Sequence, residues 1–213
     1  RSSDLFVALS KVDAELRAVL EKDGVALRDY SEVADALRAI PSGASLLVDP
    51  ARVTSGLLDN LDTGVKLVEG LNPTTLAKSQ KSLADAAHIR QAMEQDGAAL
   101  CEFFTWLDSA WGRERITELT IDEKLTAARE RRPDYVSLSF NTIAAFNANG
   151  AMPHYHATPE EHAVIEGDGL LLIDSGGQYL GGTTDITRMV AVGTPSEEQK
   201  RDCTRVLKGV IAL

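Results

Sequence analysis

Sulfur is scarce in this sequence, and its scarcity excludes a structural class. The only cysteines are Cys101 and Cys203, far apart in the chain. Both fall in helical patterns, so the expectation is two reduced, packed thiols in a cytosolic protein, not a disulfide framework. Basic residues are also short: 22 Lys and Arg stand against 32 Asp and Glu, a net charge of −10. An acidic surface argues against nucleic acid or an anionic membrane as the main partner. No apolar run approaches the roughly 18 residues a membrane span needs. No basic, then apolar, then small-residue start marks a signal peptide. There is no internal repeat and no low-complexity tract. What is present is 44% hydrophobic and 25% charged, ordinary for a soluble globular chain. Its length allows one large or two small domains with a real core. The sequence opens on Arg1 and closes on Val210-Ile211-Ala212-Leu213 in the middle of a helical pattern. The expectation is a piece of a longer protein.

The first seventy residues alternate strand and helix. Leu5 to Leu9 reads as a strand, and Ser10 is the expected cap of a helix to about Lys22. Val25 to Leu27 is a second strand, Val33, Leu37 and Ile40 stripe a second helix, and Ala44 to Val48 is a third strand. Such alternation predicts an α/β layer. Leu71-Asn72-Pro73 closes it and places the domain boundary there. The pattern then turns helical. One long helix is expected from about Lys78 to Trp111, with Leu83, Ala87, Met93, Phe103 and Leu107 near the helical period. Thr120 to Glu123 resembles a capping box opening a helix to about Arg131. Strands are expected over Val136–Phe140 and within Asn141–Phe146, and Pro195-Ser196 opens a last helix.

Between these lies LLLIDSGGQYLGGTTDITR, Leu170 to Arg188. It reads as a hairpin with one aspartate on each strand. A turn centred on Leu180-Gly181 sets Asp174 opposite Thr187 and makes Asp185 its diagonal neighbour on the same face. Diagonal neighbours sit roughly 7–8 Å apart by backbone and closer at their tips. Two carboxylates that close repel unless something positive lies between them. A shared proton serves, and so does one divalent cation or a pair of them. The plain alternative is a turn residue and a surface charge. Against it, Asp174 follows Leu170-Leu171-Leu172-Ile173, a chain entering a core. Asp185 is flanked by Thr183, Thr184 and Thr187, hydroxyls suited to holding a carboxylate. The balance favours a metal site. Upstream, His154 and His156 lie on a Gly/Pro loop, candidates for a ligand or proton donor that spacing does not separate. His162 reads as solvated loop, and His88 as a structural residue of the long helix.

His154-Tyr155, Ile173 to Tyr179 and Gly182 to Arg188 together resemble the Xaa-Pro aminopeptidases (aminopeptidase P). These are grouped with prolidase, methionine aminopeptidase and creatinase in the pita-bread fold. Arg90, Asp96-Gly97, Phe103 and Trp106-Leu107 look like the opening helix of that catalytic domain, and Leu138 to Ile143 like its first core strands. The implied fold class is mixed α/β (α+β). Residues 1–73 would be the end of a creatinase/prolidase-type N-terminal α/β domain. Residues 74–213 would be the N-terminal half of a pita-bread metallopeptidase domain.

The resemblance implies a cytoplasmic hydrolase that releases the N-terminal residue from peptides with proline second. It implies two divalent ions, Mn²⁺ or in some members Zn²⁺, and a homodimer by analogy. Asp174 and Asp185 match metal ligands, Asp185 bridging both ions. His154 matches a histidine that contacts substrate without binding metal. One His and two Glu complete the family's ligand set, and no stretch here matches their motifs. The chain alone is therefore expected to be inactive. His156, where the family has no histidine, and Met152-Pro153 depart from the pattern. The runner-up activity is prolidase, cleaving Xaa-Pro dipeptides. The reading from another class is a non-catalytic pita-bread module that binds peptides.

Overall fold

A computed structural model describes residues 3–213, which divide after Gln80 into two compact units, the second being Lys81–Leu213. In the first unit, strand β1 (Ser3–Val7) pairs in parallel with β2 (Val25–Asp29). Helix α1 (Ala14–Lys22) makes the crossover. Its cap is Asp13, whose carboxylate accepts from Leu16 N at 2.8 Å. The expected cap, Ser10, lies instead in a 3₁₀ turn over Leu9–Lys11. An acidic cap also complements the positive end of the helix dipole.

Helix α2 (Val33–Arg38) leads to a second parallel pair, β3 (Ser45–Val48) with β4 (Lys66–Glu69). Between them runs the short helix α3 (Ser55–Leu58). The two pairs form separate sheets. Neither α3 nor β4 is legible in the sequence: one is a single turn, and the four residues of β4 are all exposed. Helix α4 (Pro73–Ser79) closes the unit, with Asn72 as cap and Pro73 in the first turn, where its missing N–H is no loss.

The second unit opens on α5 (Leu83–Ala110). The single helix expected from Lys78 is in fact two. Ser82 and Asp85 cap each other reciprocally, and this fixes a fresh start. Along α5, Ala92, Asp96, Ala99, Phe103, Leu107 and Ala110 are buried at helical spacing. Helix α6 (Glu118–Glu130) packs beside it. Its cap is Thr117, which accepts from Thr120 N at 3.2 Å, so the box expected at Thr120–Glu123 lies inside the helix.

Six strands follow: β5 (Tyr135–Leu138), β6 (Ile143–Phe146), β7 (Gly169–Ser175), β8 (Gly177–Tyr179), β9 (Gly182–Thr183) and β10 (Ile186–Val192). They make two antiparallel sheets, ordered β10-β7-β6 and β5-β8-β9. The core lies between the first sheet and the helices, built on Phe103, Leu107, Ile121, Leu125, Leu171 and Ile173. Each fully buried apolar side chain of this size contributes roughly 1.5–3 kcal/mol.

Helix α7 (Glu197–Ala212), capped by Ser196, buries no residue. The expected packing of the cysteines fails for this reason. Cys203 sits on α7, Cys101 lies off the buried stripe of α5, and both are exposed free thiols. No helix among the described residues is long and apolar enough to cross a membrane.

Candidate metal centre

Strand β7 enters the core with regular alternation. Leu171, Ile173 and Ser175 are buried, while Leu172 and Asp174 are only half-buried on the opposite face. Asp174 pairs with Ile143 on one side and Thr187 on the other. The return strand keeps the same alternation: Thr184 and Ile186 are buried, Asp185 and Thr187 exposed. Asp174 and Asp185 therefore leave the hairpin on one face, and Thr187 Oγ1 donates to Asp174 Oδ1 at 2.7 Å.

The strands keep one register from the Tyr179–Gly182 pair at the tip to the Gly169–Val192 pair at the base. The hairpin nevertheless belongs to two sheets, which change over at Gly176. A Cβ on Gly176 would run into Thr184 O and Ser139 Oγ, so the close crossing of the strands there needs glycine. That crossing lies between the two aspartates.

Neither carboxylate is ion-paired, and Asp185 receives no hydrogen bond, among the described residues. A pair of carboxylates on one face offers only oxygen donors, a set that fits a hard divalent cation. No group of three or more His, Cys, Asp or Glu stands together as a metal cage among the described residues. Asp174 and Asp185 stand there without a third such group.

His154 lies on the exposed loop before β7, with φ of 59°, in the left-handed region uncommon for a side-chain-bearing residue. Among the described residues no hydrogen bond joins it to Asp174 or Asp185. Its neighbour Tyr155 is anchored: the phenol donates to Glu118 Oε2 at 2.8 Å. Burial, then the hydrogen bond to Glu118, pushes the Tyr155 hydroxyl up to about 12. His156 is exposed, and His162 Nδ1 lies 2.9 Å from Thr158 O. His88 lines a cleft of about 300 Å³ with Gln95, Asp134 and Leu180, and neither Asp174 nor Asp185 borders it.

Sequence reasoning gave no role to three buried charges of the second unit. Glu118 accepts from Phe146 N, Asn149 Nδ2, Tyr155 OH and Ala163 N, gathering the ends of the His154 loop on one carboxylate. Asp96 and Arg129, both with fully buried side chains, form a two-bond ion pair beneath the hairpin. Glu118 at the start of a helix reads as an ordinary dipole partner. Nothing local singles out Arg129, and Asp96 enters only with Gly97 in the resemblance of the long helix, because their partners are distant in sequence. Beside that resemblance, position is a signal: Asp96 falls on the buried stripe of α5.

Residues 87–213 match the family model described as metallopeptidase family M24. The chain belongs to this family. Residues 1–85 match the creatinase/prolidase N-terminal domain. The M24 chain thus joins a creatinase-type α/β region to a pita-bread region, the mixed α/β class expected from its sequence. It is 36% identical over 98% of its length to Xaa-Pro aminopeptidase 1 of Dictyostelium discoideum, covering 34% of that protein. It is 34% identical over its whole length to a probable Xaa-Pro aminopeptidase P of Chaetomium globosum, covering 36% of that protein. The chain spans about a third of the length of these relatives.

Among solved structures, the X-prolyl aminopeptidase of Caenorhabditis elegans, described as a cytosolic enzyme with a di-nuclear active site, superposes with a TM-score of 0.84. It is 28% identical, and the match covers 93% of this chain and 33% of that one. A prolidase from Pyrococcus furiosus, 20% identical with a TM-score of 0.65 over 93% of this chain and 55% of that one, shares the fold. So does the N-terminal domain of a FACT complex subunit from chickpea, 16% identical with a TM-score of 0.65 over 88% and 52%.

Proposed function

We propose that this M24 chain carries part of the centre of a cytoplasmic Xaa-Pro aminopeptidase, a hydrolase that removes the N-terminal residue from peptides with proline second. In this reading residues 1–73 are the end of the creatinase-type domain and residues 74–213 the N-terminal half of the catalytic one. Asp174 and Asp185 are ligands to two divalent ions, Mn²⁺ before Zn²⁺, and His154 contacts the substrate. One observation carries the reading: two carboxylates leave one hairpin face whose strands keep a single register, and neither is ion-paired among the described residues. The relatives named as Xaa-Pro aminopeptidases and the di-nuclear site of the Caenorhabditis elegans enzyme support it.

Divalent ions held there would supply the acidity that makes water a nucleophile near neutral pH. The chain's own part is to fix the carboxylates. Thr187 orients Asp174 through its hydroxyl, and the strand crossing at Gly176 sets Asp185 beside it. Glu118 ties down the loop that presents His154. A homodimer, implied by the resemblance, belongs to the same reading and is checked by light scattering.

Metal analysis of the whole protein, with and without Asp185→Asn, tests the assignment. The expected result is two divalent ions per wild-type chain and loss of at least one in the variant. Xaa-Pro cleavage should fall by more than the roughly 10–100-fold that outer partners of a metal ligand cost. Chelation should abolish it and Mn²⁺ restore it. Unchanged metal content in the variant overturns the ligand assignment. Cleavage of Xaa-Pro dipeptides but not of longer peptides points to prolidase instead. The retention of Asp174, Asp185 and His154 weighs against a non-catalytic binding module.

A further inference from the structure

We propose that the buried Asp96–Arg129 pair is a positioning device for the two metal-binding aspartates, acting through Ser175 and Thr184. This rests on the reading of Asp174 and Asp185 as ligands. The pair itself is tight: Arg129 Nε lies 2.6 Å from Asp96 Oδ1, and Nη2 lies 3.1 Å from Oδ2. Both side chains are 0% exposed. As a link between α5 and α6 alone, such a pair has little to recommend it. Desolvating two charges offsets most of their attraction, and apolar residues of similar volume often hold helices together as well.

The distinguishing observation is where the remaining hydrogen bonds go. Arg129 Nη2 donates to Ser175 Oγ at 3.1 Å. Asp96 accepts from Thr184 Oγ1 at 2.8 Å and from the Tyr179 hydroxyl at 2.9 Å. Thr184 Oγ1 in turn accepts from Gly177 N at 2.8 Å. Every one of these partners is on the hairpin. Ser175 directly follows Asp174, and Thr184 directly precedes Asp185.

Strand geometry turns this into a lever. Successive side chains point to opposite faces, so anchoring a core-facing side chain fixes the strand's rotation and the direction of the next residue outward. Ser175 and Thr184 sit where Leu171, Ile173 and Ile186 show that the same faces carry apolar core residues. They are hydroxyls at those positions, and both bond the buried pair. The aspartates have little anchoring of their own: Asp174 has the Thr187 hydroxyl, and Asp185 has no hydrogen bond among the described residues. A metal site needs ligands placed to within about 0.5 Å. Here the placement comes from behind the sheet.

The test is Mn²⁺ binding by the whole protein, read from the free-ion signal in electron paramagnetic resonance, with folding checked by thermal melting. The variants are Thr184→Val, Asp96→Asn, Asp174→Asn and Glu102→Gln. Glu102 forms ion pairs with Arg131, exposed, and Arg132, part-buried, and has no hydrogen bond to the hairpin among the described residues. Positioning predicts a rise in Kd of about tenfold for Thr184→Val and up to about a hundredfold for Asp96→Asn, with Glu102→Gln at the wild-type value. If Asp96→Asn does not fold, Thr184→Val decides alone. Wild-type Kd in a folded Thr184→Val variant overturns the positioning role while leaving the metal reading intact. Wild-type protein without Mn²⁺ affinity, or Asp174→Asn with unchanged affinity, overturns the metal reading itself.

Discussion

At the scale of single residues, one carboxylate organises the loop that carries His154. Glu118 is fully buried and accepts from two backbone amides, one amide side chain and one phenol. A buried charge survives only when its lone pairs are filled, so each donor matters. Tyr155→Phe removes the donor at 2.8 Å and leaves the other three. A hydrogen bond to a charged group contributes about 1.5–3 kcal/mol, and the variant should lose that much in urea unfolding. The same tyrosine gives a pH signature. Its hydroxyl is raised in the folded state, first by burial and then by Glu118, from an ordinary 10 to about 12. Its stabilising contribution is fully present below pH 10 and is lost as pH rises toward 12, because the unfolded chain releases the proton first. Wild-type protein should therefore lose stability across that window more steeply than Tyr155→Phe. Burial, with the charge of Asp96, raises Tyr179 further, so part of the phenolate absorbance should lag until the chain unfolds. Neither tyrosine announces this in the sequence, because Glu118 and Asp96 are distant along the chain and meet them only after folding.

At the scale of elements, the hairpin is the part that local pattern described best. Its turn, its Asp174–Thr187 pairing and the shared face of the aspartates follow from a period of two and a glycine turn. What local pattern missed is that the hairpin serves two sheets. Gly176 allows it, since any Cβ there meets the Thr184 carbonyl, which already accepts from Ser139 Oγ at 2.9 Å. Gly176→Ala forces the strands apart between the aspartates. Overpacking of this kind costs typically 1–3 kcal/mol, and the thermal midpoint should drop accordingly. Wild-type stability in that variant would mean that the crossing tolerates a side chain and does not set the spacing. Helix starts were the weaker reading. Ser10, Thr120 and the continuous helix from Lys78 each lost to a competing cap: Asp13, Thr117 and Ser82. Several hydroxyl and carboxylate residues sit near each start, and which one turns its oxygen to the free amides depends on the chain's approach.

At the scale of the whole molecule, no third His, Cys, Asp or Glu joins Asp174 and Asp185 among the described residues. A Xaa-Pro dipeptide offered to the 213-residue chain with Mn²⁺ should give no turnover, against clear cleavage by the whole protein. Turnover at the rate of the whole protein would show that the remaining ligands lie within these residues. The sequence by itself determined the α/β class, the family, the hairpin register and the common face of Asp174 and Asp185. These depend on periodicity, turn chemistry and motif, all local along the chain. Tertiary structure alone decided that both cysteines are exposed, that Glu118 gathers the His154 loop, and that Asp96 and Arg129 meet under the hairpin. A buried charge is tolerable only through partners that folding brings from tens of residues away, and one-dimensional pattern holds no record of that meeting.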